Sequence, residues 1–412
     1  MPHCILGVDI GTSGLRVAAV DAHGVCHWQA ERRYESGVAL AIDQQQPEGW
    51  WRSFEQLLAE QPPMRREQIA GICCAGTSGT VLLADKHGEA SSPALMYHYH
   101  ASGYLNRAGL PAHLQTAAAD RALALQQRYP GLPCSPADWF VWRLTGQRCA
   151  DYNNALKSGY DPIDNQWPKI LAKRYPALCA PLVKPGAVVA GIKPEMARRL
   201  QLPLATQIHA GTTDSMAALW ATGARTPGTG VSSLGSTLAL KLISPNPVFC
   251  RNSGVYSHRF GEGFAVSGAS NTGGAVLRQY FSDQKLAQLS SQINTTAPDT
   301  LGYWPLAGRG ERFPVHAPMM RSRITPRPDD PVAFLAGLLR GMARIEALGY
   351  QRFAKLGAPD VTRVLTSGGG GANAAFTAIR AGFLRVPVTQ AEQGSPAVGA
   401  ARLAWSERST DG

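Results

Sequence analysis

Short apolar runs separated by small-residue turns open the chain. Ile5 to Asp9, Leu15 to Val20 and Val25 to Tyr34 read as three consecutive strands, with Asp21-Ala22-His23-Gly24 as the second turn, so a β-meander is expected. The period then changes. Between Pro47 and Glu60 the apolar residues Trp50, Trp51, Phe54, Leu57 and Leu58 follow helical spacing and predict an amphipathic helix. Ile69 to Ala75 is a near-continuous apolar strand, and Gly76-Thr77-Ser78-Gly79 turns the chain into a further strand, Thr80 to Asp85. The first half is thus a mixed sheet flanked by helices. Two more helices are expected at Ala117 to Tyr129 and Pro136 to Thr145, the latter ended by Gly146 as a cap. Tyr160 to Pro194 is rich in Pro and Gly and predicts irregular structure.

The same alternation returns in the second half. Gln207-Ile208-His209-Ala210-Gly211 forms a strand, Thr212-Thr213-Asp214 leads into a helix through Trp220, and Gly223 lies just beyond its end. A hairpin follows at Val231 to Leu240, with Gly235-Ser236-Thr237 at its turn. Short strands near Val255 to His258 and Phe264 to Ser267 precede a helix from Thr272 to Phe281 and a long amphipathic helix from Val332 to Leu356. The chain closes with a strand Arg363 to Thr366, the glycine run Gly368 to Gly371, a helix Asn373 to Ala381, a strand Val386 to Val388 and a helix Pro396 to Trp405.

Length changes this picture from one sheet to two. At 412 residues the chain exceeds what one hydrophobic core serves, and two domains with a cleft between them are expected. The formal charge of +11 raises nucleic acid as a partner, but the basic residues are scattered, as in Arg32-Arg33, Arg65-Arg66 and Arg198-Arg199, without a basic stripe interleaved with aromatics. A small anionic ligand and a solvated surface account for the balance. The eight cysteines show no C-x-x-C or metal spacing and read as reduced core residues of a cytosolic protein. No charged start with an apolar core follows the pattern of a signal peptide, and no apolar run of about 18 residues appears, which argues against secretion and membrane insertion.

The candidate chemistry gathers at the turns. In Gly11-Thr12-Ser13-Gly14 glycines permit close approach while backbone N–H groups and hydroxyls converge on anionic oxygens. The P-loop lysine and the G-x-G-x-x-G spacing are missing, so those nucleotide folds are excluded. Alone the turn is equally an ordinary hairpin; with Gly235-Ser236-Thr237 it becomes one of a pair. Asp214 is either a helix N-cap or a general base taking a proton from a hydroxyl as its oxygen attacks a γ-phosphate. Asp9 poses a similar choice between a strand-end turn residue and a sugar or magnesium contact. Magnesium takes one or two carboxylates besides phosphates and keeps several waters, so these two acids suffice for it. The run Ser367 to Asn373 leaves backbone open to a flat ring or a ribose, and Phe376 lies one helical turn beyond Asn373. Gly76-Thr77-Ser78-Gly79 is not the G-x-S-x-G of a nucleophile elbow and runs into a strand rather than a helix, which argues against a serine hydrolase. A polar loop holding sugar hydroxyls fits it better.

Asp9 to Gly14, Gly211-Thr212-Thr213-Asp214-Ser215, Ser233 to Thr237 and Gly368-Gly369-Gly370 together resemble, in order and spacing, the FGGY carbohydrate kinases of the actin-like ATPase superfamily. The resemblance covers essentially the whole chain. It implies an α/β fold of two actin-like ATPase (ribonuclease H-like) domains, each a mixed five-stranded sheet flanked by helices, with the active site in the interdomain cleft. Residues 1–221 would form the sugar-binding domain, with the terminal helix 395–412 packing back onto it, and 222–394 the nucleotide-binding domain. It further implies that Asp214 is the catalytic base and binds substrate with Asp9 and Ser78, and that Asp9 and Asp214 hold Mg2+. Gly11, Thr12, Ser13, Gly235, Ser236 and Thr237 would meet the phosphates of ATP, and Gly369, Gly370, Asn373 and Phe376 the adenosine.

Relatives carry a Trp-x-Asp-x-Arg stretch where this chain has Met96-Tyr97-His98-Tyr99-His100, so an acid and an arginine that many use for substrate are absent. The short form, with Gly76 to Thr80 and Asp151-Tyr152-Asn153-Asn154-Ala155-Leu156-Lys157, looks most like compact D-ribulose kinases. The expectation is therefore an ATP-dependent ketose kinase giving D-ribulose 5-phosphate, with D-xylulose kinase and an actin-like ATPase without sugar transfer as alternatives. A cytoplasmic monomer or homodimer with a small-molecule ketose substrate, no nucleic acid and no membrane is expected.

Overall fold

The computed structural model describes residues 3–106, 110–111 and 114–408. The chain divides into two compact units, Met1–Ala221 with Ser395–Gly412, and Thr222–Gly394.

In the first unit β1 (Cys4–Ile10), β2 (Gly14–Val20) and β3 (Cys26–Arg33) form an antiparallel meander. Every residue of β1 is buried, so it reads as an apolar run rather than an alternation. Helix α1 (Pro47–Ala59) begins on a proline, whose missing N–H costs nothing in a first turn, and buries Trp50, Trp51, Phe54, Leu57 and Leu58. Strand β4 (Ile69–Gly76) lies parallel to β1. Helix α2 (Ala117–Gln126) is capped by Thr116. Helix α3 (Pro136–Thr145) is capped by Ser135 and closed by Gly146 in the left-handed region. The edge strand β5 (Val188–Gly191) runs antiparallel to β6 (Gln207–Thr213), which is parallel to β4 and passes directly into α4 (Asp214–Ala221). The sheet order is β5-β6-β4-β1-β2-β3. Aromatic rings of α1 and α3 interlock over it, with Trp51 and Phe54 at 5.4 and 5.5 Å from Phe140.

The second unit repeats this plan with β7 (Thr229–Leu234), β8 (Leu238–Ser244), β9 (Tyr256–Phe260) and β10 (Gly263–Ser270). Helices α5 (Asp283–Ser290) and α6 (Pro331–Lys355) follow; Asp330 caps α6 by accepting from the N–H groups of Val332 and Ala333 at 3.1 Å each. Strand β11 (Arg363–Ser367), a 3-10 turn Gly369–Ala372, helix α7 (Ala374–Leu384) and strand β12 (Val388–Gln390) complete it. The order is β9-β10-β8-β7-β11-β12, with β7, β11 and β12 parallel. The chain returns to the first unit as α8 (Pro396–Arg408), which lies against β1 and α4. Glycines make this approach possible: a Cβ on Gly7 would stand 1.8 Å from the Ala397 carbonyl oxygen, and one on Gly399 1.7 Å from that of Ala217. Residues 409–412 of the expected terminal segment lie outside the described residues.

Several expectations change. Each sheet has six strands rather than five: a common five-strand order is extended by β5 beyond the parallel strands in the first unit and by β9 beyond the antiparallel ones in the second. Strand β5 lies in the Tyr160 to Pro194 stretch expected to be irregular. It is a half-exposed edge strand with a register shift, so it carries little apolar signal. That stretch also holds a short helix at Lys169–Arg174. The strand after Gly79 is short, Leu82–Ala84, and pairs with Leu132–Cys134 outside the main sheet. The helix expected from Thr272 is α-helical only over Gly274–Leu277, because Gly274 and Ala275 donate instead to Gly235 and Ser236 carbonyls at 2.9 and 3.1 Å.

Candidate active site

Three parallel strands of the first unit end level with one another. Ile10 and Thr213 both stand in register with Gly76, so β1, β4 and β6 release Gly11-Thr12-Ser13, Thr77-Ser78-Gly79 and Asp214 at one edge of the sheet. The carboxyl ends of parallel strands are where α/β sheets place ligands, because the following turns offer backbone N–H groups there. One residue further back, Asp9 and Thr212 share the register position of Ala75.

Asp9 is 3% exposed. Its carboxyl is pushed up to about 6, first by burial and then by the charge of Asp214, against the pull of Arg16. Arg16, directly across the β1–β2 hairpin, donates from Nη1 to Asp9 Oδ2 at 3.3 Å and from Nε to Glu31 Oε2 at 3.2 Å. Asp214 is half-buried at the first position of α4, and its Oδ1 accepts from the Ser215 N–H at 2.7 Å. Thr12 and Ser13 are exposed on a turn closed by the Gly11 N–H to the Gly14 carbonyl at 3.1 Å. Tyr34 braces that turn by donating its hydroxyl to the Gly11 carbonyl at 3.1 Å, and Gln45 Nε2 donates to the Thr12 carbonyl at 2.7 Å. Ser78 sits half-buried in a tight turn: Thr80 N–H reaches the Thr77 carbonyl at 3.2 Å, the two threonine hydroxyls are 2.8 Å apart, and Gly79 takes φ +83°.

The second unit ends two parallel strands in the same way. Ser233 and Ser367 stand in register with their hydroxyls 2.8 Å apart, so β7 releases Gly235-Ser236-Thr237 beside the glycine run that follows β11. A cavity of about 1060 Å3 opens there, a size suited to a nucleotide. Gly235, Ser236, Gly369, Gly370, Asn373 and Phe376 line it, and Thr237 is exposed on the same turn. Asn373 does double duty, capping α7 through the Phe376 N–H at 2.9 Å and donating from Nδ2 to Ser290 Oγ at 2.8 Å. Arg278, also in the lining, donates to Ser236 Oγ at 2.8 Å. Beneath, a buried bidentate pair joins Arg380 to Glu346 at 2.6 and 2.7 Å, with Arg380 also on Thr366 Oγ1 at 2.7 Å.

The site residues therefore fall into two groups. Asp9, Gly11, Thr12, Ser13, Ser78 and Asp214 lie on the first unit, and Gly235, Ser236, Thr237, Gly369, Gly370, Asn373 and Phe376 on the second. Among the described residues no cluster of three or more His, Cys, Asp or Glu could cage a metal by itself. The two acids still suit Mg2+ shared with phosphates, since the strain on Asp9 comes partly from a neighbouring negative charge that a cation would relieve.

Residues 230–407 match the family model of the C-terminal domain of the FGGY family of carbohydrate kinases. The chain is a carbohydrate kinase, and residues 230–407 carry the C-terminal domain of the FGGY family. Solved kinase structures share the two-domain α/β fold of this kinase. A xyloylose kinase from Brucella ovis superposes with a TM-score of 0.85 at 21% identity, covering 98% of this chain and 91% of its own. A xylulose kinase from Rhodospirillum rubrum gives 0.82 at 20%, covering 98% and 89%. Plasmodium falciparum glycerol kinase with ADP gives 0.83 at 16%, covering 99% and 90%. No helix among the kinase's described residues is long and apolar enough to cross a membrane. All eight cysteines are free thiols, five of them buried.

Sequence reasoning passed over Arg16, Tyr34, Gln45, Arg278 and the Glu346–Arg380 pair. Arg16 alone carried a signal: a hairpin turning at Gly11–Gly14 sets it opposite Asp9. The others act across long stretches of chain, where no local pattern marks them.

Proposed function

We propose that this kinase transfers the γ-phosphoryl group of ATP to a hydroxyl of a small ketose, D-ribulose first among them. The observation that supports this is the level ending of β1, β4 and β6, which sets two electrostatically coupled carboxyl groups beside two hydroxyl-bearing turns. Asp214 acts as general base. It takes the proton of the acceptor hydroxyl, the freed oxygen bonds to the γ-phosphorus, the bond from phosphorus to the bridging oxygen breaks, and ADP leaves with that electron pair. Ser78 holds a sugar hydroxyl. Thr12 and Ser13 steady the transferring phosphoryl group, and Gly11 lets their backbone approach it. Gly235, Ser236 and Thr237 hold the nucleotide's phosphates, while Gly369, Gly370, Asn373 and Phe376 hold its adenosine. Asp9 and Asp214 would hold Mg2+, which when bound neutralises charge on the phosphate oxygens. Residues 1–221 thus serve the sugar and 222–394 the nucleotide.

The ribulose assignment rests on the resemblance of Gly76 to Thr80 and Asp151 to Lys157 to compact D-ribulose kinases. D-xylulose is the second reading, favoured by the xylulose kinases among the structural neighbours. An ADP-release assay with D-ribulose, D-xylulose, glycerol and gluconate, plus a control without sugar, tests both. Strong stimulation by D-ribulose supports the first reading and by D-xylulose the second. Release independent of every sugar would leave an ATPase.

A further inference from the structure

Arg121 stands outside every role assigned so far, yet it is 4% exposed, and among the described residues its side chain hydrogen-bonds to two loops. It projects from α2, and its guanidinium donates from Nε to the Gly79 carbonyl at 3.0 Å and from Nη1 to the Tyr99 carbonyl at 3.0 Å. Nη2 runs close along the same turn, within 3.3 Å of where a Gly79 Cβ would lie. A buried cation spent on two backbone carbonyls from separate loops is costly unless holding them together matters, since desolvating a guanidinium must be offset by those bonds. The first loop carries Ser78. The second is Met96 to His100, an irregular stretch next to it in which Tyr97 is half exposed. The preceding residue of the helix adds a third tie, with Asp120 Oδ1 accepting from the Leu105 N–H at 2.8 Å. One turn of α2 therefore fastens the Ser78 turn to the chain that follows Met96.

We propose that Arg121 is a positioning residue for the sugar: by pinning the Gly79 and Tyr99 carbonyls it fixes the Ser78 turn against the Met96–His100 loop and so sets which ketose fits. The inference rests on the reading of the Ser78 turn as the sugar-holding loop. It gives Arg121 no contact with the nucleotide or the reacting atoms.

The test is Arg121→Lys, which keeps the charge and the aliphatic stem but lacks the planar fork that reaches both carbonyls. Steady-state kinetics with D-ribulose and D-xylulose, alongside thermal unfolding, should show a folded enzyme whose ketose KM rises about ten-fold, with the ATP KM within about two-fold of wild type. The ratio of kcat/KM between the two ketoses should also move toward one. An unchanged ketose KM, an equal rise in both KM values, or loss of the fold would overturn the proposal, the last because it would make Arg121 a stability residue. Ser78→Ala, measured beside it, tells two failures apart. A ketose KM raised by Ser78→Ala but not by Arg121→Lys removes the role of Arg121 alone. A ketose KM unchanged in both removes the sugar-turn reading, and this inference with it.

Discussion

Asp9 and Asp214 are close enough for the charge of one to raise the other, and they separate cleanly by experiment. Asp214→Asn removes the proposed proton acceptor at nearly constant shape. The expected loss in kcat is roughly 10² to 10⁴-fold, with ADP affinity by calorimetry unchanged, because the cavity that would hold the nucleotide belongs to other residues. Near-normal turnover would mean that Asp214 is only a helix-start carboxylate. Asp9 makes a prediction about stability. Its carboxyl sits at about 6 in the folded chain against 3.8 ordinarily, so the folded state binds this proton more tightly than the unfolded state does. Stability is therefore lost as pH rises from about 4 to about 6. Below that window both states hold the proton; above it the full cost of burying the charge is present, roughly 3 kcal/mol for such a difference. Asp9→Asn should accordingly unfold later than wild type at pH 7.5 in magnesium-free buffer, with the gain shrinking toward pH 4. The lost pair with half-exposed Arg16 offsets only a little of it. A difference between variant and wild type that does not change with pH would show that burial of the Asp9 charge is not what limits stability there.

At the scale of elements, the two hairpins were legible because everything that makes them is local: an apolar strand, a turn of small residues, a second apolar strand. The long helix α6 and the helix α4 announced themselves through period and caps. What braces the hairpins was not legible. Tyr34 reaches the Gly11 carbonyl from 23 positions away and Gln45 the Thr12 carbonyl from 33, and neither distance leaves a trace in a sliding pattern. Strand β5 was hidden because an edge strand buries too little to read as apolar, and the residues after Thr272 because their N–H groups serve the second hairpin rather than a helix. Helix α8 shows how a composition signal turns into geometry. Five of its seven buried residues are alanine or glycine, Ala397, Gly399, Ala400, Ala401 and Ala404, which lets its backbone rest on β1 and α4. Gly399→Ala would drive a methyl group into the Ala217 carbonyl, and the two helices must part to admit it. A destabilisation of about 1–3 kcal/mol or more in urea unfolding is expected. A variant as stable as wild type would mean that α8 is free to shift.

Over the whole molecule, the same five-strand order appears twice, and in both units the candidate residues leave from the ends of parallel strands. The plan could be anticipated from the pairing of Gly11-Thr12-Ser13 with Gly235-Ser236-Thr237, but the division of labour could not, because small-residue turns bind phosphate without naming what it is attached to. The cavity in the second unit supplies the asymmetry: it adjoins Gly235 and Ser236 with about 1060 Å3, whereas the cavity beside Gly79 and Thr80 holds about 30 Å3. If that cavity holds the nucleotide, each ligand should leave its mark on one unit. Hydrogen exchange with ADP alone should slow the amides of Leu234 to Thr237 and Gly368 to Phe376, since a bound ligand suppresses local opening in proportion to its affinity and its saturation. The preferred ketose alone should slow Gly76 to Thr80 and leave the glycine run unchanged. Protection by ADP confined to the first unit would move the nucleotide to the Asp9 turn and reverse the assignment of the two units.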